Sequence, residues 1–528
     1  MNSLRDLFYV ILCVTILSFS TTMANGQLKH NAKTPVDPAT SPLPAEERGT
    51  VINGTIENST IYPGTKRNYQ VFVPKQYDGK TPACLVVGLD GNLFNAITVI
   101  DNLINKGDMP VTIGLFIDPG VCYDADGEVI RYNRSNEFDR TNYEFASFLE
   151  TEVLPLLNSL ETPDGRKIII SDNPNDRGIT GASSSGIAAF SVAWHRPDLF
   201  SRVYSSVGTF VAMRGGNEYP AIIRKTEPKS LRIFLQDGVN DTWNHIFGDW
   251  WEYNQLMASA LNFAGYEFDY KWDKGTHSIY YGTRAYPDAM RWLWRDWPSP
   301  VTAGQSMNGM LESLLIEGEG WKMRSLEEVS DMCIENTAEL QSNYKKYVKD
   351  GFMAISLYNG DSYISTTEGK IYLLKKGAKK AILLNTLKNS GEQIAIYPNH
   401  KLLIATEKNS NWLISYIINE DGTITAGERF YWLHNMENHT HTPFGNIVFD
   451  TLGNLYISST MGIQVCDQNG RVRAILPFPE HIRSTPRIEF IGNKLYLIWE
   501  GKTYVRTIKN TGYCNWQQPV DIKSQGQG

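Results

Sequence analysis

The chain changes rhythm at Pro298-Ser-Pro300, and this change restricts the possible folds more than any other feature. Upstream, from about Gly49, short apolar runs alternate with helical patterns. Candidate strands are Tyr69–Val73, Cys84–Leu89, Val111–Ile117, Gly178–Thr180, Val203–Val207, Leu231–Leu235 and Phe268–Trp272, with helices such as Tyr143–Leu157 and Trp250–Phe263 between them. Apolar strands separated by helices predict a parallel sheet covered on both faces. Downstream, short strand pairs recur. Tyr363-Ile, Leu403-Ile, Tyr456-Ile and Tyr496-Leu stand in similar contexts, 40, 53 and 40 residues apart. Turns at Asp421-Gly, Leu452-Gly-Asn and Ile491-Gly-Asn punctuate them. A repeat near 40 residues with several strands per unit predicts propeller blades, with a β-sandwich as the alternative. The expected fold class is therefore α/β plus all-β, with domains over 49–300 and 301–528.

Residues 1–24 have the pattern of a secretory signal: Arg5, an apolar run from Leu7 to Phe19, then small and polar residues to Ala24. That run is short for a bilayer span, so the expectation is a secreted or periplasmic protein with no membrane span after signal removal. The Pro-rich stretch 25–48 reads as a linker. Beyond the signal, five cysteines (Cys84, Cys122, Cys333, Cys466, Cys514) are scattered without a C-x-x-C pair, so large cores rather than a disulfide framework must supply stability. A net charge of −7 and the lack of a long basic run argue against a nucleic-acid partner.

The segment Arg177-Gly-Ile-Thr-Gly-Ala-Ser-Ser-Ser-Gly186 has the form of a nucleophile elbow: a strand, a tight turn flanked by small residues, then Ile187, Phe190 and Trp194 at helical spacing. Two registers are open. Ser183 has Gly181 two residues before it and Ser185 two after, whereas Ser184 has Ala182 before and Gly186 after. The first register is preferred, because it sets the serine directly beyond the strand and leaves Gly186 for close helix packing.

A serine hydroxyl needs a base to take its proton and fixed donors for the oxyanion. In hydrolases built on such an elbow, an acid and then a histidine follow the serine. The strand at Leu231–Leu235 runs into a loop with Asp237 and Asp241, and Lys271-Trp-Asp-Lys-Gly-Thr-His277 follows. Asp241 is the expected acid, with Asp237 fixing the loop backbone. His277 is the expected base, with His195 at a helix end and His245 in the acid's loop as the other histidines nearby. Oxyanion donors are expected from the backbone of Gly91 or Asn92, after the strand ending at Leu89, and of Ser184.

Six segments in order resemble the enterochelin esterase/feruloyl esterase branch of the α/β-hydrolases over residues 49–297: Gln70-Val-Phe-Val-Pro, Leu89-Asp-Gly, Asn133-Arg-Ser-Asn-Glu137, Gly181-Ala-Ser-Ser-Ser-Gly, Asp237-Gly-Val-Asn-Asp and Gly275-Thr-His. The branch pattern G-x-S-x-G-G puts its nucleophile on Ser183, makes Ser185 the departure, and puts acid and base on Asp241 and His277. The resemblance implies a serine esterase for carboxylic esters, often on sugars, phenolic acids or siderophores, that requires no cofactor. Arg134, Glu137, Arg214 and Trp243 are candidate substrate contacts.

The second half resembles gluconolactonase-like propellers, clearest in Asp450-Thr-Leu-Gly-Asn-Leu-Tyr-Ile-Ser and Gly462-Ile-Gln-Val-Cys-Asp-Gln-Asn-Gly-Arg. That family would bring a calcium ion. Gly445-Asn446 and Glu392 stand where it has other residues, however, and the several oxygen ligands that calcium needs do not assemble from these positions. Glu437, His439 and His441 form a different candidate metal cluster. The leading expectation is an exported serine esterase with a non-catalytic propeller. A metal-dependent lactonase on the propeller and a glycan- or protein-binding protein are the rivals.

Overall fold

A computed structural model describes residues 36–324, 343–436, 444–482 and 484–522. The signal segment, Cys333 and the Glu437/His439/His441 cluster therefore lie outside the described residues.

The first half is built on one eight-stranded sheet. Its strands are β1 (Thr50–Ile56), β2 (Arg67–Val73), β3 (Cys84–Leu89), β4 (Thr112–Ile117), β5 (Arg177–Ala182), β6 (Arg202–Ser206), β7 (Arg232–Gly238) and β8 (Glu267–Asp273). Their order across the sheet is β1-β2-β4-β3-β5-β6-β7-β8. The β1–β2 and β2–β4 pairs are antiparallel and the rest are parallel. Each of the seven candidate strands overlaps one of these. The strand absent from the expectation is β1, whose residues alternate between half-buried and exposed at the sheet edge and lack an apolar run.

Alternation along the strands divides the core in two. Leu85, Val87, Ile113, Leu115, Ile233 and Leu235 face one layer. That layer holds helices α2 (Ser184–His195), α3 (Tyr219–Lys225) and α4 (Trp250–Phe263). Val86, Phe116 and Phe234 face the other, formed by α1 (Ala96–Lys106) and α5 (Ile279–Trp294). Strands buried on both faces are why these runs read as continuously apolar.

Two sequence expectations need correction. The helix over 143–157 is α-helical at Glu144–Phe148 and Leu154–Asn158 but π-helical at Leu149–Val153. Pro155, which has no N–H to donate, lies at the start of the last segment, where the regular i→i−4 ladder cannot continue through it. The described part of the linker, from residue 36, is bound to the domain: Ala39 is fully buried and the Asp37 carboxylate pairs with Arg291 at 2.7 Å.

After residue 321 come four antiparallel sheets arranged like a four-bladed propeller. Blades one to three start at Gly351, Ser390 and Phe444. Blade four joins Arg487–Ile491, Lys494–Trp499 and Lys502–Thr507 to Lys322–Arg324, so the first strand of this region closes the last blade. The four repeated dipeptides all lie in the second strand of their blade: Ser362–Thr366, Leu402–Glu407, Leu455–Ser459 and Lys494–Trp499. Their wider middle spacing falls where blade two ends in the nine-residue strand Ile424–Trp432 and more chain follows before Phe444.

The halves pack against each other. The buried Arg506 guanidinium holds Glu227 through two hydrogen bonds of 2.6 and 2.7 Å. Thr226 forms a parallel bridge with Ile475. The Asn308 amide donates to the carbonyls of Arg224 and Arg473, tying both halves together. Cys84, Cys122 and Cys466 are buried free thiols. Among the described residues no helix is long and apolar enough to cross a membrane.

Candidate active site

Ser183 sits between β5 and α2 with φ 58° and ψ −121°, a conformation that only a constrained turn imposes on a residue with a Cβ. The turn is possible because its neighbours are small. A Cβ on Gly181 would lie 2.1 Å from the Ser185 carbonyl oxygen, and one on Gly186 would lie 2.9 Å from Ser205 Oγ. Ser185, the departure from the G-x-S-x-G pattern, is fully buried and spans the elbow. Its Oγ donates to the Ala182 carbonyl at 2.7 Å and accepts from the Ala182 amide at 2.9 Å. The hydroxyl thus supplies a clasp that glycine could not.

His277 follows β8 and reaches back over the elbow. Its Nε2 lies 2.8 Å from Ser183 Oγ, and its Nδ1 lies 2.7 Å from Asp241 Oδ1. The tautomer protonated on Nδ1 satisfies both contacts: Nδ1–H donates to the carboxylate and Nε2 accepts from the serine. The edge of the Trp250 ring packs on the imidazole with centroids 5.6 Å apart. The Asp241 side chain is fully buried. Burial alone would raise its pKa, but hydrogen bonds from His277 and Asp237 outweigh it and hold Asp241 below the usual carboxylate range. Ser184 lies on the first turn of α2 instead, and His195 is remote, its Nε2–H donating to the Thr141 carbonyl at 2.8 Å.

The loop after β3, where oxyanion donors are expected, carries backbone strain. Asp90, Gly91, Phe94 and Asn95 all have positive φ. One expected donor is lost there: the Gly91 amide donates to the Ile117 carbonyl at 3.1 Å and so belongs to the sheet. Asn92 and Ser184 remain as the candidate amides. A cavity of about 310 Å³ opens over the serine, walled by Leu93, Val207, Ile279, Asp90, Arg134 and His277. Val207, a β-branched residue at φ 42°, is held there by its amide's bond to the Gln236 carbonyl.

The four expected substrate contacts separate. Arg134 lines this cavity and is aimed by a two-point bond to Asp90 at 2.8 and 2.7 Å. Glu137 does not reach it: its side chain is wholly buried and pairs with Arg67 at 2.6 and 2.8 Å, a structural assignment that replaces the expected contact. Arg214 and Trp243 are outside the cavity wall. Trp243 is 60% exposed and stacks edge-on with His245, while Arg214 lies in the field of Asp139. Asp90, Leu93, Val207 and Ile279 went unpredicted. Only the Leu89-Asp-Gly turn carried any signal of them, since side-chain direction after a strand depends on loop φ/ψ.

In the propeller, Asp450 is saturated within the protein. It accepts from the Leu452 and Asn454 amides, the Asn454 and Asn510 side chains and the Tyr456 hydroxyl. Among the described residues no group of three or more His, Cys, Asp or Glu side chains could hold a metal ion.

Residues 60–284 match the family model described as "Esterase: Putative esterase". A search of the curated proteins returns no match. Among solved structures, a ferulic acid esterase is similar at 17% identity, over 47% of this chain and 98% of its own, with a TM-score of 0.36. The enterobactin esterase from Shigella flexneri, solved with 2,3-dihydroxy-N-benzoyl-glycine, is similar at 20% identity, over 50% of this chain and 64% of its own, with a TM-score of 0.39. The feruloyl esterase module from Clostridium thermocellum, solved with sinapinate, is similar at 14% identity, over 52% of this chain and 98% of its own, with a TM-score of 0.35. This chain therefore spans just under two thirds of the enterobactin esterase. The family match over 60–284 supports an ester hydrolase.

Proposed function

We propose that this protein is an exported serine carboxylic-ester hydrolase acting through an acyl-enzyme on Ser183. The observation that carries the reading is the relay from Ser183 Oγ through His277 to Asp241, 2.8 and 2.7 Å long, on a strained elbow. Ser183 Oγ attacks the ester carbonyl as His277 Nε2 takes its proton, forming a tetrahedral intermediate. The amides of Asn92 and Ser184 stabilise its oxyanion, and Asp241 holds the imidazolium. His277 then protonates the departing alcohol oxygen as the C–O bond breaks. Water, deprotonated by His277, attacks the acyl-enzyme, and the acid leaves with Ser183 restored. Nucleophile, base and oxyanion donors all come from the chain, so this reading requires no cofactor.

The alcohol half is assigned to a carbohydrate or similar polyol, and the acyl half to an acetyl or feruloyl-type group. Support comes from the contrast between two neighbouring cavities that share Asp90 and Leu93. The one over Ser183 has an apolar wall of Leu93, Val207 and Ile279. The other, about 590 Å³, is rimmed by Asn53, Asn68, Gln70, Asn92 and Asp118. Export rests on the signal pattern of residues 1–24, and the propeller is assigned a non-catalytic part. The test is hydrolysis of acetyl, butyryl and feruloyl esters and an aldonolactone by wild type, Ser183→Ala and Ser184→Ala. Ester turnover that persists in Ser183→Ala would refute the assignment.

A further inference from the structure

Asp237 is a second buried acid behind the relay, and the mechanism above does not use it. It is the penultimate residue of β7, is fully inaccessible, and accepts the Gly238 amide on Oδ1 at 2.7 Å. Asp241 uses Oδ1 for His277 and for the Thr242 amide. The Oδ2 atoms of both residues are buried and receive no N–H or O–H from any other described group, yet the two carboxyls are within hydrogen-bond reach of each other. Two carboxylates cannot face each other in a buried site when both are ionised, and two acceptors make no bond. One proton between the Oδ2 atoms resolves both problems.

The charges around the pair decide which residue carries that proton. Asp241 faces the His277 ring, whereas Asp237 faces Asp241 and the field of Asp273, which is held by Gln236 and the Gly275 amide. We propose that Asp237 is a neutral carboxylic acid whose O–H donates to Asp241 Oδ2, making it a positioning residue that keeps Asp241 anionic and aimed at His277. This rests on the esterase reading for its catalytic consequence, though not for the protonation itself. Burial first, and then the bond and repulsion from Asp241, push the Asp237 pKa up to about 10, in accord with the geometry. The bond also makes Asp241 less basic, so the proton stays on Nδ1 of His277 when the imidazolium forms.

The test uses the full-length protein with Asp237→Asn and Asp237→Leu. Asparagine reproduces the neutral acid, with Oδ1 accepting from Gly238 and Nδ2–H donating to Asp241; leucine removes the donor. The expected result is a kcat about 10- to 100-fold lower in the leucine variant, the range for losing a hydrogen bond to a charged group, with KM moved little. The asparagine variant should recover most of that loss. An infrared spectrum near neutral pH should show the carbonyl stretch of a neutral carboxylic acid that disappears in Asp237→Asn, a readout independent of turnover and of the leucine variant's folding. Absence of that band would overturn the proposal, as would an asparagine variant as impaired as the leucine one. If the band is present but no ester is turned over, the esterase reading fails while the protonation stands.

Discussion

Removing the Glu137 carboxylate separates a structural role from a substrate contact. The Glu137 and Arg67 side chains are both 0% exposed and are joined by hydrogen bonds of 2.6 and 2.8 Å. Glu137 also accepts from the Asn133 side chain at 2.8 Å and the Gly120 amide at 3.2 Å. In Glu137→Ala the guanidinium stays buried, retaining Thr65 and the Phe148 ring face, 4.4 Å from its centroid, but no counter-charge. Breaking one partner of a buried pair costs about 3–5 kcal/mol, and an orphaned buried amide adds about 1–3 kcal/mol, not fully additively. A loss of about 4 kcal/mol is therefore expected, against about 5–15 kcal/mol for a whole domain. With a slope of about 3 kcal/mol per molar urea, the first unfolding transition, followed by tryptophan fluorescence, should move down by more than about 1 M. Glu137→Gln, which keeps shape but not charge, should fall between. Folded Glu137→Ala at low temperature should keep its KM for ester. An unmoved urea midpoint together with a tenfold rise in KM would refute the reasoning and return Glu137 to the substrate.

Asp241→Asn should lower kcat by about 10³-fold or more while the protein stays folded, because the amide favours the wrong His277 tautomer; steady-state kinetics with circular dichroism check this. Burial, with Lys229 nearby, lowers the pKa of His195 to about 3. A depressed folded-state pKa means stability that is present above the unfolded value near 6.5 and lost as pH falls toward 3. The loss is at most about 1.4 kcal/mol per pH unit, so melting between pH 7 and 4 should be less acid-sensitive in His195→Gln. Arg506→Ala leaves Glu227 without its two-point partner at the interface between the halves. It should split thermal unfolding into two calorimetric steps, and a single unchanged transition would count against coupling through this contact.

Much of the architecture was open to one-dimensional reading because burial leaves periodic marks. Strands covered on both sides read as apolar runs, and blades that each bury a similar second strand repeat at similar spacing. The relay's residue types and order follow from the same regularity: a turn of small residues after a strand, then an acid and a histidine after later strands. What the linear pattern could not determine depends on contacts between distant segments. Glu137 and Arg134 share one short motif, yet Glu137 turns into the core because Arg67, seventy residues earlier in sequence, waits there, while Arg134 is drawn to the cavity by Asp90. Gly91 was an equal candidate with Asn92 until the position of Ile117 across the sheet committed its amide. Asp237 and Asp241 look alike in sequence; only the approach of His277 from beyond β8 gives one the relay and leaves the other facing a carboxylate. Local propensity records which face of an element is buried. Which partner meets a polar group there is decided by the fold as a whole.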